Sequence, residues 1–303
     1  MNRKDLISLR DCSPDELWEF LETAKQLKIA YKSGQQSEAL TDQTLAMIFQ
    51  KPSLRTRVSF ETGMTQLGGH ALYLAPSDIQ LGQRETTEDI ALVLSRYADG
   101  IMARVFGHEI VEELARYATV PVINGLSDLE HPCQVLGDLL TIWERKRRIE
   151  GLKLAWIGDG NNVCHSWLTG APKLGVNLAI ATPEGFEPKP EIVKYAQAQG
   201  TVIELTHDPE EAAQRADLLY TDVWASMGEE GMAAQKKRSF AGFQLDSKLL
   251  KLAKPDALVL HCLPAHYDEE ITHEVAHGPQ SAIFDEAENR LHAQKAVLAL
   301  LMG

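Results

Sequence analysis

This 303-residue chain lacks several things that would each define a protein class. It has no excess of positive charge: 30 Lys and Arg stand against 43 Asp and Glu, a formal net charge of −13. That balance argues against nonspecific nucleic-acid binding and against anionic membrane surfaces, both of which need a cationic footprint. Cysteine is scarce, and Cys12, Cys133, Cys164 and Cys262 show neither a CxxC pair nor Cys/His metal spacing. Reduced thiols in a cytoplasmic protein are the simplest account. No apolar run approaches the length of a membrane span. The start, Met-Asn-Arg-Lys-Asp, is charged and has no apolar core of signal-peptide length. Internal repeats and low-complexity segments are also missing.

What is present is ordinary globular material, 44% hydrophobic and 24% charged, long enough for two domains with a core each. Ser13-Pro-Asp-Glu16 combines an N-cap, a first-turn proline and a capping-box glutamate, so a helix should follow. Short apolar runs then alternate with helical spacing. Strands are expected at 44–49, 70–74, 100–104 and 120–124, with helices near 88–97, 108–117 and 132–146. From Gly151 the rhythm restarts, with strands at 153–157, 177–181, 202–205, 217–221 and 257–261, helices at 162–174 and 191–199, and a long amphipathic helix over 286–302. This βα alternation predicts an α/β chain of two doubly wound domains, each with a central parallel sheet flanked by helices. The basic run Arg145-Lys-Arg-Arg148 reads as a solvated helix end at the domain hinge, because positive charge is favoured at a helix C-terminus.

One stretch organises the rest. Thr44-Leu-Ala-Met-Ile-Phe49 has the composition of a buried parallel strand, and Ser53 is a natural N-cap for the helix that follows. The first-turn N–H groups of such a helix lack intrahelical partners, and the helix dipole adds to them, so the turn is suited to an anion. Arg55, Thr56 and Arg57 bring guanidinium and hydroxyl donors to the same stretch, which suits a phosphate. The plainer reading is a capped helix carrying two solvated arginines.

In doubly wound sheets ligands bind beyond the carboxyl ends of the strands, and the unusual residues recur there. Arg104 closes a strand, where a surface ion pair is the plain alternative. His131-Pro-Cys-Gln134 opens a helix, where a capping His beside a first-turn Pro would suffice. Gly158-Asp-Gly-Asn-Asn162 falls short of the full GxGxxG spacing and lacks a following ribose acid, which weakens an NAD-dependent oxidoreductase reading. Asp222-Val-Trp-Ala-Ser-Met-Gly228 leaves a strand into a long polar loop through Arg238, and His261-Cys-Leu-Pro264 ends another strand.

Together these motifs resemble one family. Ser53-Leu-Arg-Thr-Arg57 is similar to the Ser-Thr-Arg-Thr-Arg carbamoyl-phosphate signature of the aspartate/ornithine carbamoyltransferase family, with Leu54 in place of the first Thr. His131-Pro-Cys-Gln134 resembles its His-Pro-x-Gln element. The Asp222 and His261 segments resemble the ornithine-type signatures, where aspartate-type relatives carry Pro at the place of Cys262. Glu286-Ala-Glu-Asn-Arg-Leu-His292 resembles the start of a C-terminal helix that returns to the first domain.

The resemblance implies transfer of the carbamoyl group of carbamoyl phosphate to L-ornithine, giving L-citrulline and phosphate, with no metal and no cofactor. It implies a carbamoyl-phosphate domain at 1–146 plus 286–303 and an ornithine domain at 147–285. By it, Ser53, Leu54, Arg55, Thr56 and Arg104 hold the phosphate, and Arg104, His131 and Thr56 face the carbonyl oxygen. Pro132, Cys133, Gln134, Cys262, Leu263 and Arg290 surround the carbamoyl group, and Gln80 reaches it from a neighbouring subunit of a homotrimer or multiple of trimers. Asn162, Asp222, Ser226 and Met227 take ornithine, with Cys262 near its δ-amine. Arg55, Thr56, Arg104, His131, Asp222 and Cys262 are the implied catalytic set. A noncatalytic metabolite-binding paralogue is the other alternative, and it would be expected to have lost some of Arg55, Arg104, His131 or Arg290; all four are present.

Overall fold

The computed structural model describes residues 3–81, 84–225 and 230–303. The chain divides into two compact units, Met1–Leu140 with Glu288–Gly303, and Thr141–Ala287. Each is an α/β unit around its own parallel sheet.

The first unit's sheet contains β1 (Thr44–Phe49), β2 (His70–Leu74), β3 (Gly100–Arg104) and β4 (Val122–Leu126), ordered β2-β1-β3-β4 and parallel throughout. β1 and β3 are central and buried, and their continuous apolar runs fit strands covered on both faces. β2 is an edge and is partly exposed. The chain leaves β1 toward β2 on one side and reaches β3 on the other, so the strand order reverses between β1 and β3. Phe49 pairs with Arg104 at that reversal, which sets the turn after β1 beside the end of β3.

The second unit's sheet contains β5 (Lys153–Ile157), β6 (Asn177–Ala181), β7 (Ile203–Thr206), β8 (Leu218–Thr221) and β9 (Leu258–His261), ordered β7-β6-β5-β8-β9. Its reversal lies between β5 and β8, where Ile157 pairs with Thr221. One core cluster joins Ala155, Ile157, Leu219 and Val259 to Phe240, Phe243 and Ile271.

Several expectations shift. The helix expected near 88–97 ends at Leu94, leaving Tyr97 in a turn and exposed, and β4 begins at Val122 rather than at 120. The stretch leading to Gln80 is a helical turn, Pro76–Ile79. The segment expected to be a loop through Arg238 is helical over Glu230–Met232 and Ala233–Ser239, a stretch rich in helix-forming Ala, Gln and Lys. The run 145–148 is not simply solvated: Arg145 pairs with Asp285 at 2.5 Å, Lys146 with Asp256 at 2.8 Å, and Arg148 approaches Asp217 at 3.8 Å.

The last helix spans Ile283–Met302, starting three residues earlier than the expected 286. Its C-terminal part packs within the first unit. A Cβ on Gly137 would lie 3.0–3.1 Å from Arg290 atoms, backbone among them, so glycine permits that close approach. Among the described residues no helix is long and apolar enough to cross a membrane.

Candidate active site

In the first unit the site starts from the Leu54–Gln66 helix. Ser53, extended at φ −157° and ψ 116°, caps it by accepting from the Thr56 N–H at 3.3 Å. The helix then carries Thr56 inward, fully buried, with its hydroxyl at 3.2 Å from the Ser53 hydroxyl. Two guanidinium groups from distant parts of the chain converge on that hydroxyl oxygen. Arg104 Nη1 donates from the end of β3 at 3.4 Å, and Arg290 Nη2 donates from the last helix at 3.2 Å. Both arginines are buried, at 7% and 4% exposure, so their charges act in a poorly screened setting.

His131 sits beside this group, 4% exposed. Burial, and then the positive charges of Arg290, Arg104 and Arg55, hold its imidazole well below the usual histidine range. It is therefore neutral at physiological pH, an N–H donor that adds no further cation. Pro132 opens the next helix, and Cys133 behind it is buried, its thiol pointing at the Asn124 carbonyl and pushed up to about 12 by burial. Cys133 thus offers the site no side-chain chemistry. Gln134 is fully buried and donates from Nε2 to Asp138 Oδ1 at 2.7 Å, one helical turn away, which fixes its carboxamide.

Arg57, Leu54 and Gln80 stand apart from this cluster. Arg57 does not join Arg55 and Thr56: it bonds Glu61 at 2.9 Å and lies over the Tyr73 ring at 3.9 Å. A helix turns about 100° per residue, so neighbouring residues diverge, and Arg57 falls on the outer face. Leu54 is 76% exposed, so that position can offer the turn its N–H without its side chain. Gln80 is also exposed, in the left-handed cap of the Pro76–Ile79 turn at φ 43°, and among the described residues its side chain makes no hydrogen bond to the cluster.

In the second unit the reversal point carries an acid rather than cations. Asp222 directly follows β8 and is 6% exposed. Its Oδ2 accepts from Asn161 Nδ2 at 2.7 Å, and its Oδ1 accepts from the Val223 N–H at 2.8 Å and from Cys262 Sγ at 2.9 Å. A sulfur that close to a carboxylate oxygen requires the thiol proton between them. Asn162 is the first residue of the next helix and is half-buried; it is Asn161 that both caps the helix and holds Asp222. Ser226 and Met227 lie outside the described residues.

His261 ends β9 with both ring nitrogens engaged. Nδ1 accepts the Leu263 N–H at 2.8 Å, which places the proton on Nε2, 3.2 Å from Glu270 Oε1. Asp222, His261 and Cys262 have ligand-capable atoms within 4.8 Å of one another, but the imidazole is already committed to protein partners. Leu263 holds φ at 57°, an uncommon value for a branched residue, and its N–H bond to His261 supports it. Glu286 anchors the end of β9 by accepting from the His261 N–H at 2.9 Å and from the Tyr220 hydroxyl at 3.1 Å.

Asn161, Gly137, Asp138, Glu270 and Glu286 are the residues the sequence reading did not assign. Asn161 had a signal, since the cap must precede the first helical residue. The others act through tertiary partners that spacing does not reveal.

A family profile described as the aspartate/ornithine carbamoyltransferase carbamoyl-P binding domain matches residues 4–144, and one described as the Asp/Orn binding domain matches residues 150–301. The chain is 56% identical over 304 aligned residues to an ornithine carbamoyltransferase of Pyrococcus abyssi, covering 99% of this chain and 96% of that one. A relative from Pyrococcus furiosus, described as an anabolic ornithine carbamoyltransferase, is also 56% identical at the same coverage. The solved Pyrococcus furiosus ornithine carbamoyltransferase superposes with a TM-score of 0.96, covering 99% of this chain and 97% of that one. The Thermus thermophilus structure is 48% identical, with a TM-score of 0.91 and full coverage of both chains, 100% each.

Proposed function

We propose that this chain, which belongs to the aspartate/ornithine carbamoyltransferase family, is an ornithine carbamoyltransferase that transfers the carbamoyl group of carbamoyl phosphate to the δ-amine of L-ornithine, giving L-citrulline and phosphate. The observation that carries the reading is the convergence of Arg104 and Arg290 on the Thr56 hydroxyl at a helix start, beside a histidine held neutral. Such a cluster favours a terminal phosphate group, as in an acyl phosphate, because guanidinium, hydroxyl and first-turn N–H donors all serve its oxygens.

In this reading residues 1–146 plus 286–303 form the carbamoyl-phosphate domain and 147–285 the ornithine domain. Ser53, Leu54, Arg55, Thr56 and Arg104 hold the phosphate. Arg104, His131 and Thr56 aim donors at the carbonyl oxygen, which gains negative charge as the amine adds. Pro132, Cys133, Gln134, Arg290, Cys262 and Leu263 meet the carbamoyl group's remaining edges, Cys133 only through its backbone. The C–N bond forms, the C–O bond to phosphate breaks, and the proton the amine gives up is taken by the departing phosphate. Donors already in place at the developing oxyanion need no reorganisation at that moment, which is where most of the acceleration arises.

On the acceptor side, Asp222 takes the α-ammonium and Asn162, Ser226 and Met227 the rest of ornithine. Aspartate would need cations for its second carboxylate, and Asp222 supplies the opposite charge. N-acetylornithine would leave Asp222 buried against a neutral amide. Putrescine would leave polar donors for the missing carboxylate unpaired. The test is steady-state carbamoylation of all four amines at matched concentrations. Citrulline formation should dominate, and faster turnover of putrescine or N-acetylornithine would end the ornithine assignment.

The active form in this reading is a cytoplasmic homotrimer or multiple of trimers, with Gln80 serving a neighbour's site; the exposure of Gln80 supports it. Reassembled hybrids of inactive Gln80→Ala and Arg55→Ala subunits should recover activity through sites carrying neither change. Verified hybrids that stay inactive would exclude sharing.

A further inference from the structure

The segment that follows His261-Cys-Leu-Pro264 carries a second group of ligand atoms outside the proposed reaction. His266, Glu269 and Glu270 present one ring nitrogen and two carboxylate oxygens within 4.8 Å of one another. Glu270 is fully buried. Its Oε1 is well served, accepting from the His266 N–H at 2.5 Å and facing His261 Nε2 at 3.2 Å. Its Oε2 is different: this atom is buried and has no hydrogen-bond partner among the described residues.

A buried carboxylate oxygen without a donor is costly and calls for a positive partner. The group facing Oε2 is His266 Nδ1 at 4.0 Å, too far for a hydrogen bond and within the reach of two metal–ligand bonds of about 2.0–2.2 Å each. His266 is exposed at 54%, which gives an ion a route in, and Glu269 closes the third side at 37% exposure. Glu269 now pairs with Lys237 at 2.9 Å, a solvent-exposed contact worth little that an ion can displace.

We propose that His266, Glu269 and Glu270 form a binding site for a divalent transition-metal ion of the zinc or cobalt type. One imidazole nitrogen and two carboxylates are a donor set that suits such an ion, with the exposed side left for water. The ion stabilises the turn between Pro264 and Ile271 and takes no part in the transfer.

The test is titration with cobalt(II) alone, read by calorimetry and absorption, on the full-length Cys262→Ser protein. That substitution removes the thiol of the neighbouring Asp222–His261–Cys262 group, so binding cannot arise from a cobalt–thiolate centre. Glu270 is left intact because it also holds His261. One ion should bind per chain without a thiolate charge-transfer band, and His266→Ala or Glu269→Gln should each weaken it about 100-fold, with zinc competing for the same site. Absence of saturable binding in the Cys262→Ser protein overturns the proposal. So does binding that both His266→Ala and Glu269→Gln leave unchanged.

Discussion

The two sheets reverse strand order in the same way, and at both reversals a strand runs through a short turn into a helix capped by a polar residue. The two caps do opposite things. Ser53 takes one N–H, that of Thr56, at a long 3.3 Å. The first turn keeps its electropositive character, and Arg104 and Arg290 add to it. Asn161 instead accepts from both Val163 at 3.0 Å and Cys164 at 3.1 Å, then turns its Nδ2 to Asp222. That helix start is consumed internally, and the group presented is an acid. The same supersecondary unit therefore presents donors in one unit and an acid in the other, according to how much of the helix terminus its cap occupies.

The largest break in this comparison is expected from removing a cation on the first side. Arg104→Ala should lower kcat by about 10²–10³-fold, the effect of losing one preorganised oxyanion donor. Calorimetry should show weaker carbamoyl-phosphate binding with the fold intact, whereas unchanged affinity would remove Arg104 from the phosphate site.

A paired cap exchange sharpens the contrast at smaller cost. Aspartate is a good N-cap, so Ser53→Asp and Asn161→Asp should each keep its helix. Ser53→Asp places a negative charge where the phosphate is to sit and should weaken carbamoyl phosphate by about tenfold or more, a change of about 1.4 kcal/mol. Asn161→Asp sets a carboxylate against Asp222 and should raise KM for ornithine while leaving carbamoyl-phosphate affinity unchanged. If both variants impaired the same substrate, the division of labour would fail.

A third effect separates the two regions by pH. His131 and His292 are both depressed by burial, His292 to about 4, from an ordinary value of 6.5. The unfolded chain therefore takes up protons first as pH falls. Their contribution to stability is complete above 6.5 and is lost below it, over the range down to about 4 for His292. Denaturant midpoints should drop between pH 7 and pH 5, and a His292→Asn variant should drop less steeply. Activity, by contrast, should rise into the alkaline range, because the ornithine δ-amine resembles a lysine amine with a pKa of about 10.4 and attacks only when neutral. A flat profile for ornithine from neutral pH upward would contradict that.

The smallest effect is expected at Arg57. Its bond to Glu61 is exposed, so Arg57→Ala should cost under about 1 kcal/mol of stability and leave kcat/KM within twofold. A loss comparable to that of Arg104→Ala would return Arg57 to the site.

Strand and helix order was legible along the chain because each element is specified by local pattern: buried runs for β1 and β3, and a capping box at Ser13. The Ser53 cap was legible for the same reason. Arg57 was misread because linear adjacency says nothing about the direction a helical residue takes. The segment beyond Asp222 was misread because its polar residues hid good helix formers, and because Lys236, buried against Asp159 at 2.7 Å, gains its partner only in the fold.

The sequence by itself determined the two βα units, their caps, the family and the residue types of the chemistry, since these depend on periodicity and on motifs a few residues long. Tertiary structure alone decided which of those residues meet. Arg104 and Arg290 reach one hydroxyl because β3 adjoins β1 and because Gly137 admits the last helix. His131 is held well below the usual histidine range because the fold desolvates it and adds the charges of three arginines from separate segments. Asp222 is clamped by Asn161 because β8 lies beside β5. Those outcomes come from contacts between residues tens to hundreds of positions apart, and no local pattern encodes such a contact.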